Sequence, residues 1–442
     1  MKILIIGAGQ VGTTIVEALH EKHDLTMIDL DPSRLGALSH RYDVATVEGD
    51  GASRRTLQQA GVKDADLLIA CTSRDEMNII ASVFCRKLSP DTKTIVRTTN
   101  VEYLEIWHER ELDADFLVSS ELETALAISR LIGVPAARQT DVFAEGQVQI
   151  VEFDVEPSVG HTEVIGLPLR DARVPANSKV ASIIRDGEMI IPRGNESIHT
   201  GDRIIVIGSP QAAREWSALM ARGDRSVEDV VIFGCGRTGT AVARVLLDQG
   251  IRVRIVEPIA KRAREVAEEL PGARVYQATG IDPEFLERER IGATKAAIFA
   301  MRDDAKNHYA ATLAKLHGVR FRIAVVHDAV SERVFEDAGV AVPINPRSIT
   351  AEEIVRFAHD PRTQQVAMLE GDRYEVLDIT VRPDSSLANR PFRELPMTGS
   401  LIGALIRDGR AIFPHGDDVL MPGDRAILFT ESRRVPEVER AL

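Results

Sequence analysis

Residues 2–12 read K-I-L-I-I-G-A-G-Q-V-G and residues 229–239 read D-V-V-I-F-G-C-G-R-T-G, so one apolar run and one glycine spacing recur at an offset of 227. A carboxylate follows each motif: Asp29 lies 17 residues after Gly12, and Glu257 lies 18 after Gly239. Further on, Asp66 to Ala70 with Asp75 and Asn78 parallels Lys295 to Phe299 with Asp304 and Asn307. Agreement in order at nearly constant spacing marks a chain built twice from one plan, which has to be recognised before any single motif is interpreted.

The segments after these units also match. Ser182 to Arg185 and Ala404 to Arg407 each run into Asp-Gly, at Asp186-Gly187 and Asp408-Gly409. Asp-Gly after an apolar run predicts a hairpin, because both turn positions tolerate positive φ. Pro192 and Gly194 before Gly201-Asp202-Arg203 then parallel Pro414 and Gly416 before Gly423-Asp424-Arg425. Each copy is therefore a large α/β unit followed by a small strand-rich one. Composition shifts place joints at Gly133-Val134-Pro135, at Arg222-Gly223-Asp224-Arg225-Ser226 and at Asp360-Pro361-Arg362-Thr363. Proline-free runs predict helices over Ser119 to Ile132 and Thr350 to Ala358 that cross between lobes, with short closing helices over 214–221 and 435–442. The expected architecture is α/β, with two Rossmann-like doubly wound parallel-sheet lobes at 1–122 and 228–347, each followed by a small α+β lobe, at 140–222 and 364–442.

In the first large unit the glycine motif stands where a dinucleotide fold needs it, between the strand run Lys2 to Ile6 and a helix continuing over Thr13 to Leu19. Missing side chains at Gly7 and Gly9 allow the tight turn and let backbone N–H groups approach a pyrophosphate at the helix N-terminus, while Gly12 permits close helix-to-strand packing. Asp29, at the end of Leu25-Thr26-Met27-Ile28, can accept hydrogen bonds from ribose hydroxyls and repels a 2′-phosphate, which favours NAD over NADP. Ribose hydroxyls do not separate NAD from ADP or ATP. The second unit repeats the loop as Gly234-Cys235-Gly236-Arg237-Thr238-Gly239 with Glu257 as its ribose carboxylate. Elsewhere it departs: Glu48-Gly49-Asp50-Gly51 becomes Gln277-Ala278-Thr279-Gly280, so the acceptor Asp50 becomes the weaker Thr279, and Arg97, a phosphate-facing cation, aligns with Val326. The two sites are thus expected to differ in affinity or in nucleotide.

The longest apolar stretches, such as Leu67 to Cys71, are strand-sized and far below the roughly 18 residues a spanning helix needs. The sequence starts without a signal-peptide pattern, so a cytoplasmic protein is expected. Cys71, Cys85 and Cys235 show no C-x-x-C spacing, which argues against disulfides and cysteine zinc sites. His20 and His23 have no third ligand at matching spacing, so no metal is assigned. A net charge of −13 disfavours nucleic acid and anionic lipid and suits a basic protein surface, such as the Lys- and Arg-rich cytoplasmic loops of membrane proteins.

Together, Gly7 to Gly12, Asp29, Gly49-Asp50-Gly51, the run Thr72 to Asn78 and the duplicated small lobes resemble the TrkA family, tandem regulators of potassium conductance (RCK, or KTN) in bacterial Trk uptake systems. The resemblance covers the chain end to end and includes the order large, small, large, small. It implies two RCK N-terminal and two RCK C-terminal domains in a peripheral protein on the cytoplasmic face of a membrane-embedded potassium-translocating subunit. It further implies self-association into a ring, a homotetramer when the repeat lies within one chain, and binding of NAD(H), with ATP or ADP as further ligands. By position the family's contacts fall on Gly7, Ala8, Gly9, Gln10, Val11, Gly12, Asp29, Asp50, Thr72 and Arg97. In the second copy they fall on Gly234, Cys235, Gly236, Arg237, Thr238, Gly239 and Glu257, with Thr279 in the place of Asp50.

A dehydrogenase needs a general acid or base beside the nicotinamide. The small units offer only His161, His199 and His415, which do not recur between copies, and serine-hydrolase, P-loop and H-E-x-x-H motifs are absent. No catalytic residue is assigned. The expected function is a nucleotide-binding regulatory subunit gating a Trk-type potassium channel or transporter; the alternative is an NAD-dependent oxidoreductase of unusual tandem architecture. A redox-sensing transcription regulator is disfavoured by the acidic charge and by the lack of a helix-turn-helix segment.

Overall fold

Ile3, Leu4, Ile5 and Ile6 leave neither face of their strand for solvent, and in the computed structural model they form β1 (Lys2–Ile6) with all four side chains at most 3% exposed. The structure describes residues 1–156, 163–220, 227–356, 363–369, 373–395 and 399–442. The expected joint at Arg222 to Ser226, residues 360–362 of the second joint, the ends of two expected helices at 221 and 357–358, and His161 lie outside the described residues.

A strand apolar on both faces must be covered on both. Alternation of strand and helix supplies the cover: α1 (Gln10–Leu19), β2 (Asp24–Asp29), α2 (Pro32–Arg41), β3 (Ala45–Glu48), α3 (Arg54–Gln59), β4 (Leu67–Ala70), α4 (Asp75–Leu88), β5 (Lys93–Thr98), α5 (Glu102–His108), β6 (Phe116–Ser119) and α6 (Ser120–Gly133). The sheet order is β3-β2-β1-β4-β5-β6, with every neighbouring pair parallel. The order reverses between β1 and β4, which opens a crevice at the carboxyl ends of those strands.

A small lobe follows, of β7 (Ala137–Phe143), β8 (Val148–Asp154), β9 (Ser178–Arg185), β10 (Glu188–Ile190), β11 (Arg203–Gly208) and α7 (Pro210–Met220). The second large lobe comprises β12 (Asp229–Phe233), α8 (Arg237–Asp248), β13 (Arg252–Glu257), α9 (Ala260–Glu269), β14 (Arg274–Gln277), α10 (Pro283–Arg288), β15 (Ala296–Phe299), α11 (Asp304–Leu316), β16 (Phe321–Val325), α12 (Ala329–Ala338), β17 (Val342–Ile344) and α13 (Pro346–Arg356). Its order, β14-β13-β12-β15-β16-β17, is that of the first. The second small lobe has β18 (Thr363–Leu369), β19 (Tyr374–Thr380), β20 (Ser400–Arg407), β21 (Arg410–Ile412), β22 (Arg425–Glu431) and α14 (Val435–Ala441). Both small sheets are antiparallel and share one order, β7-β8-β11-β9-β10 and β18-β19-β22-β20-β21.

The repeated signatures of the small lobes have a shared physical basis. Asp186-Gly187 and Asp408-Gly409 turn tight hairpins with positive φ at both positions, 53° and 79° in the first, 50° and 74° in the second. The arginine before each turn makes a two-pronged pair with the buried aspartate of the Gly-Asp-Arg motif: Arg185 to Asp202 and Arg407 to Asp424, each at 2.8 and 2.7 Å. A planar guanidinium fork matches a carboxylate in this way, which explains why both residues recur together.

Like packs with like. One compact unit holds both large lobes, Met1–Leu126 and Val231–Ala358, and another holds both small lobes, Ala127–Val230 and His359–Leu442. Within the first, α13 of the second lobe packs along α1 of the first, and Thr350 Oγ1 on α13 lies 2.9 Å from Ser120 Oγ, both residues buried. Within the second, Phe143, Ile150, Ile205 and Ile207 share one core with Val376, Ala404, Ile427 and Phe429. The Gln147 side chain also donates to the Gly409 carbonyl at 2.9 Å and accepts from the Ala411 N–H at 3.0 Å. Gly403 makes this approach possible, since a β-carbon there would sit 2.6 Å from Ile207. Gly403→Val should therefore destabilise the small-lobe pair by about 2 kcal/mol in chemical denaturation, with part of the loss recovered when Ile207→Ala is added in the same chain.

Candidate nucleotide-binding site

The first glycine loop divides its work among three glycines. Gly7 turns with φ +110°, and a β-carbon on it would meet the Thr72 backbone nitrogen at 3.0 Å; one on Gly12 would lie 1.9 Å from the Gly7 carbonyl oxygen. These two shape the chain. A β-carbon on Gly9 would meet nothing within 4 Å. Gly9 precedes α1 without any side-chain cap, so the unpaired N–H groups of the first helical turn face open space, the arrangement that receives an anion. Gln10 is exposed, whereas Val11 is 5% exposed and Ala8 similarly buried, so these two offer a ligand their backbone only.

Asp29 closes the loop. Its Oδ2 accepts from the Ala8 N–H at 2.6 Å and its Oδ1 from the Asp31 N–H at 2.9 Å, while the Asp29 carbonyl accepts from Gly49 N–H at 2.9 Å. A carboxylate has about four acceptor positions, so two remain for a vicinal diol. Asp50 is exposed on the neighbouring loop, with Oδ1 accepting from Ala52 N–H at 2.9 Å; Gly51 is required there because a β-carbon would lie 2.1 Å from Ile6. Across the crevice, fully buried Asn78 fastens the ends of two strands. Its Oδ1 accepts from Thr72 N–H and hydroxyl, and its amide donates to the carbonyls of Thr72 and Arg97. Arg97 donates to the Thr72 carbonyl at 3.0 Å and to Ser120 Oγ at 2.9 Å, which leaves three of the five guanidinium N–H groups for a ligand.

Three further residues, Asp75, Thr99 and Glu121, are not among the site residues expected from the sequence, although Asp75 recurs between the copies as Asp304. Asp75, buried, accepts from the Thr98 and Thr99 hydroxyls and from the Thr99 and Asn100 N–H groups. Thr99 in turn receives Arg237, from the glycine loop of the second lobe, at 2.7 Å. Glu121 stands beside them: burial pushes its carboxyl above the usual range, Arg97 and Arg237 pull it down, and Asp75 adds to the rise. The recurrence of Asp75 and Asn78 as Asp304 and Asn307 was the available signal for the first of these; nothing local flagged the other two.

In the second lobe Gly234 turns with φ +94°, a β-carbon on Gly239 would lie 2.1 Å from the Gly234 carbonyl, and Gly236 again faces open space. Asn307 repeats the fastening, on the backbone of Met301 and the Val325 carbonyl. The structural counterpart of Arg97 is therefore Val325, not Val326 as the linear alignment has it; the cation is missing from this crevice in either register. Thr279 does stand at the place of Asp50, its hydroxyl accepting from Ile281 N–H at 3.2 Å. Arg237 is exposed and reaches the first lobe, and Thr238 is half-buried. Glu257, 7% exposed, accepts from Cys235 N–H at 3.1 Å, Cys235 Sγ at 3.3 Å and Ile259 N–H at 3.0 Å. Among the described residues no group of three or more His, Cys, Asp or Glu is placed to hold a metal ion, and no helix is long and apolar enough to cross a membrane.

Residues 3–120 and 230–346 match the TrkA-N domain, and residues 152–221 and 376–442 match the TrkA-C domain. The chain belongs to the TrkA family. The Trk system potassium uptake protein TrkA homolog of Archaeoglobus fulgidus is 31% identical over 442 residues, covering 99% of each chain. The Trk system potassium uptake protein TrkA of Halomonas elongata is 31% identical over 452 residues, covering 100% of this chain and 98% of its own. In fold, the chain is similar to the GsuK channel bound to NAD, with a TM-score of 0.61 at 18% identity over 100% of this chain and 78% of that one. The TrkA-N matches span both glycine loops and their carboxylates, and the TrkA-C matches take in both hairpin-and-Arg-Asp signatures.

Gly12→Ala should lower the melting temperature sharply, since backbone must move, whereas Gly9→Ala should leave melting unchanged and weaken nucleotide binding at least about tenfold by blocking the approach to α1; calorimetry and titration separate the two. Because the folded Glu121 carboxyl holds its proton to higher pH than an unfolded one, its contribution to stability is present at low pH and is lost as pH rises through the raised pKa. Glu121→Gln should accordingly melt above wild type at pH 8, with the gap closing toward pH 4.

Proposed function

We propose that this protein is the regulatory subunit of a Trk-type potassium uptake system, docking on the cytoplasmic face of its membrane-embedded translocating subunit and holding NAD(H), ADP or ATP as a signal. The observation that carries this reading is the first crevice: an uncapped helix N-terminus behind an open glycine, a carboxylate with acceptor positions left for a ribose diol, and Arg97 reaching from the crevice to the lobe seam. Membership of the TrkA family and the names of its relatives supply the transport context. Ring formation, as a homotetramer, is part of the same proposal, and nucleic acid is not a partner.

The route from ligand to gate runs through one guanidinium. Arg97 touches the Thr72 carbonyl on the crevice side and Ser120 Oγ on the other, and Ser120 Oγ lies 2.9 Å from Thr350 on α13, the helix that packs along α1. A phosphate that draws Arg97 toward itself weakens its hold on Ser120. A nucleotide therefore favours one arrangement of the two large lobes by the difference in its contacts, and a 100-fold preference, about 2.7 kcal/mol, moves a gate poised near balance.

Asp29→Asn should weaken NADH or ADP binding about 30-fold, the loss of roughly 2 kcal/mol of charge-assisted hydrogen bonding. Thr350→Val keeps the shape of a buried side chain and should hold nucleotide affinity within about twofold while blunting the nucleotide response of potassium flux through the reconstituted complex. Steady oxidation of NADH by the purified chain with a small-molecule acceptor would replace this reading with the oxidoreductase.

A further inference from the structure

The two crevices share a glycine loop and differ at the ribose end. In the first, Asp29 is half-buried and accepts two backbone N–H groups, from Ala8 and Asp31. In the second, cysteine stands where the first has Ala8, and its thiol adds a third donor to Glu257, after the N–H groups of Cys235 and Ile259. That leaves about one acceptor position on a carboxylate that is itself 7% exposed, where a vicinal diol needs two. Burial and the adjoining Glu257 push the Cys235 thiol up to about 12, so it stays protonated and keeps donating across the physiological range.

A second difference tightens the same end. Arg34 on α2 and Arg262 on α9 stand five residues after their carboxylates. Arg34 is drawn outward by Asp31, at 3.3 Å, and its side chain is 58% exposed. The residue at the place of Asp31 is Ile259, which cannot pair, and Arg262 folds back instead: it donates to the Cys235 carbonyl at 2.9 Å and to Thr240 Oγ1 at 3.0 Å, with Glu265 3.4 Å away. The guanidinium thus bolts the second loop to its helix from within the chain.

From these contacts we infer that one chain holds one nucleotide, in the first crevice, and that the second is a self-satisfied cradle whose ribose carboxylate and loop are engaged by Cys235 and Arg262. The inference rests on the nucleotide reading of the first crevice and adds a stoichiometry and two specificity-determining residues. The second large lobe then serves the first, presenting Arg237 to Thr99 from a loop that needs no ligand to hold its shape.

Calorimetric titration of the full chain with NADH, and separately with ADP, tests it by counting. The expected result is one equivalent per chain for wild type and the loss of that binding, by about 30-fold, in Asp29→Asn. The double variant Cys235→Ala, Ile259→Asp frees one acceptor position on Glu257 and gives Arg262 an outward partner, and should raise the count to two. Two equivalents in wild type, with one surviving in Asp29→Asn, would overturn the inference while leaving the nucleotide reading intact. Binding of neither nucleotide by wild type defeats that reading and the inference with it. Thermal melting confirms that the double variant folds; if it does not, the wild-type and Asp29→Asn counts decide alone.

Discussion

The contact on which each large lobe depends is between a carbonyl oxygen and an absent β-carbon. The third glycine of each loop passes so close to the carbonyl of the first that an added carbon would lie 1.9 Å from the oxygen in one lobe and 2.1 Å in the other. That approach brings the start of the helix flush with the end of the central strand, and everything the crevice can do follows from it. The unpaired N–H groups reach open space, the neighbouring strand delivers its carboxylate to the loop's own backbone, and a further glycine lets the turn after β3 close over Ile6 and the turn after β14 close over Phe233.

Much of this was legible in the sequence because it is local. Strand, glycine turn, helix and terminal carboxylate are set by runs of a few residues, and the Asp-Gly hairpins announce themselves by the φ they require. The doubly wound parallel class followed from such a unit in each half, whereas the strand order came from the structure. What could not be read was long-range. No pattern in α13 says that it packs on α1, and no pattern around Arg237 says that its guanidinium leaves its own crevice for Thr99, 138 positions away. The Arg97 comparison slipped by one residue because a linear alignment counts positions, whereas the carbonyl that Asn78 or Asn307 grips identifies the equivalent residue.

The grouping of the lobes gives the duplication its physical sense. A lobe that pairs with a copy of itself in a symmetric dimer must satisfy the same surface twice. Here the two partners are encoded separately, and they have diverged: alanine against cysteine in the loop, Asp31 against Ile259 before the helix, arginine against valine at the strand end. The copy that retains an accessible carboxylate is complemented by one whose loop is braced internally, an asymmetry that a single repeated gene product cannot adopt.

Joining both halves covalently also changes how firmly they meet. Tethered partners face each other at an effective concentration of order millimolar, far above that of separate polypeptides in a cell. The bridge from Gln147 to the β21 hairpin and the junction of Thr350 with Ser120 therefore persist on dilution. A replacement at either junction perturbs it from one side, where a symmetric dimer would suffer the same lesion on both.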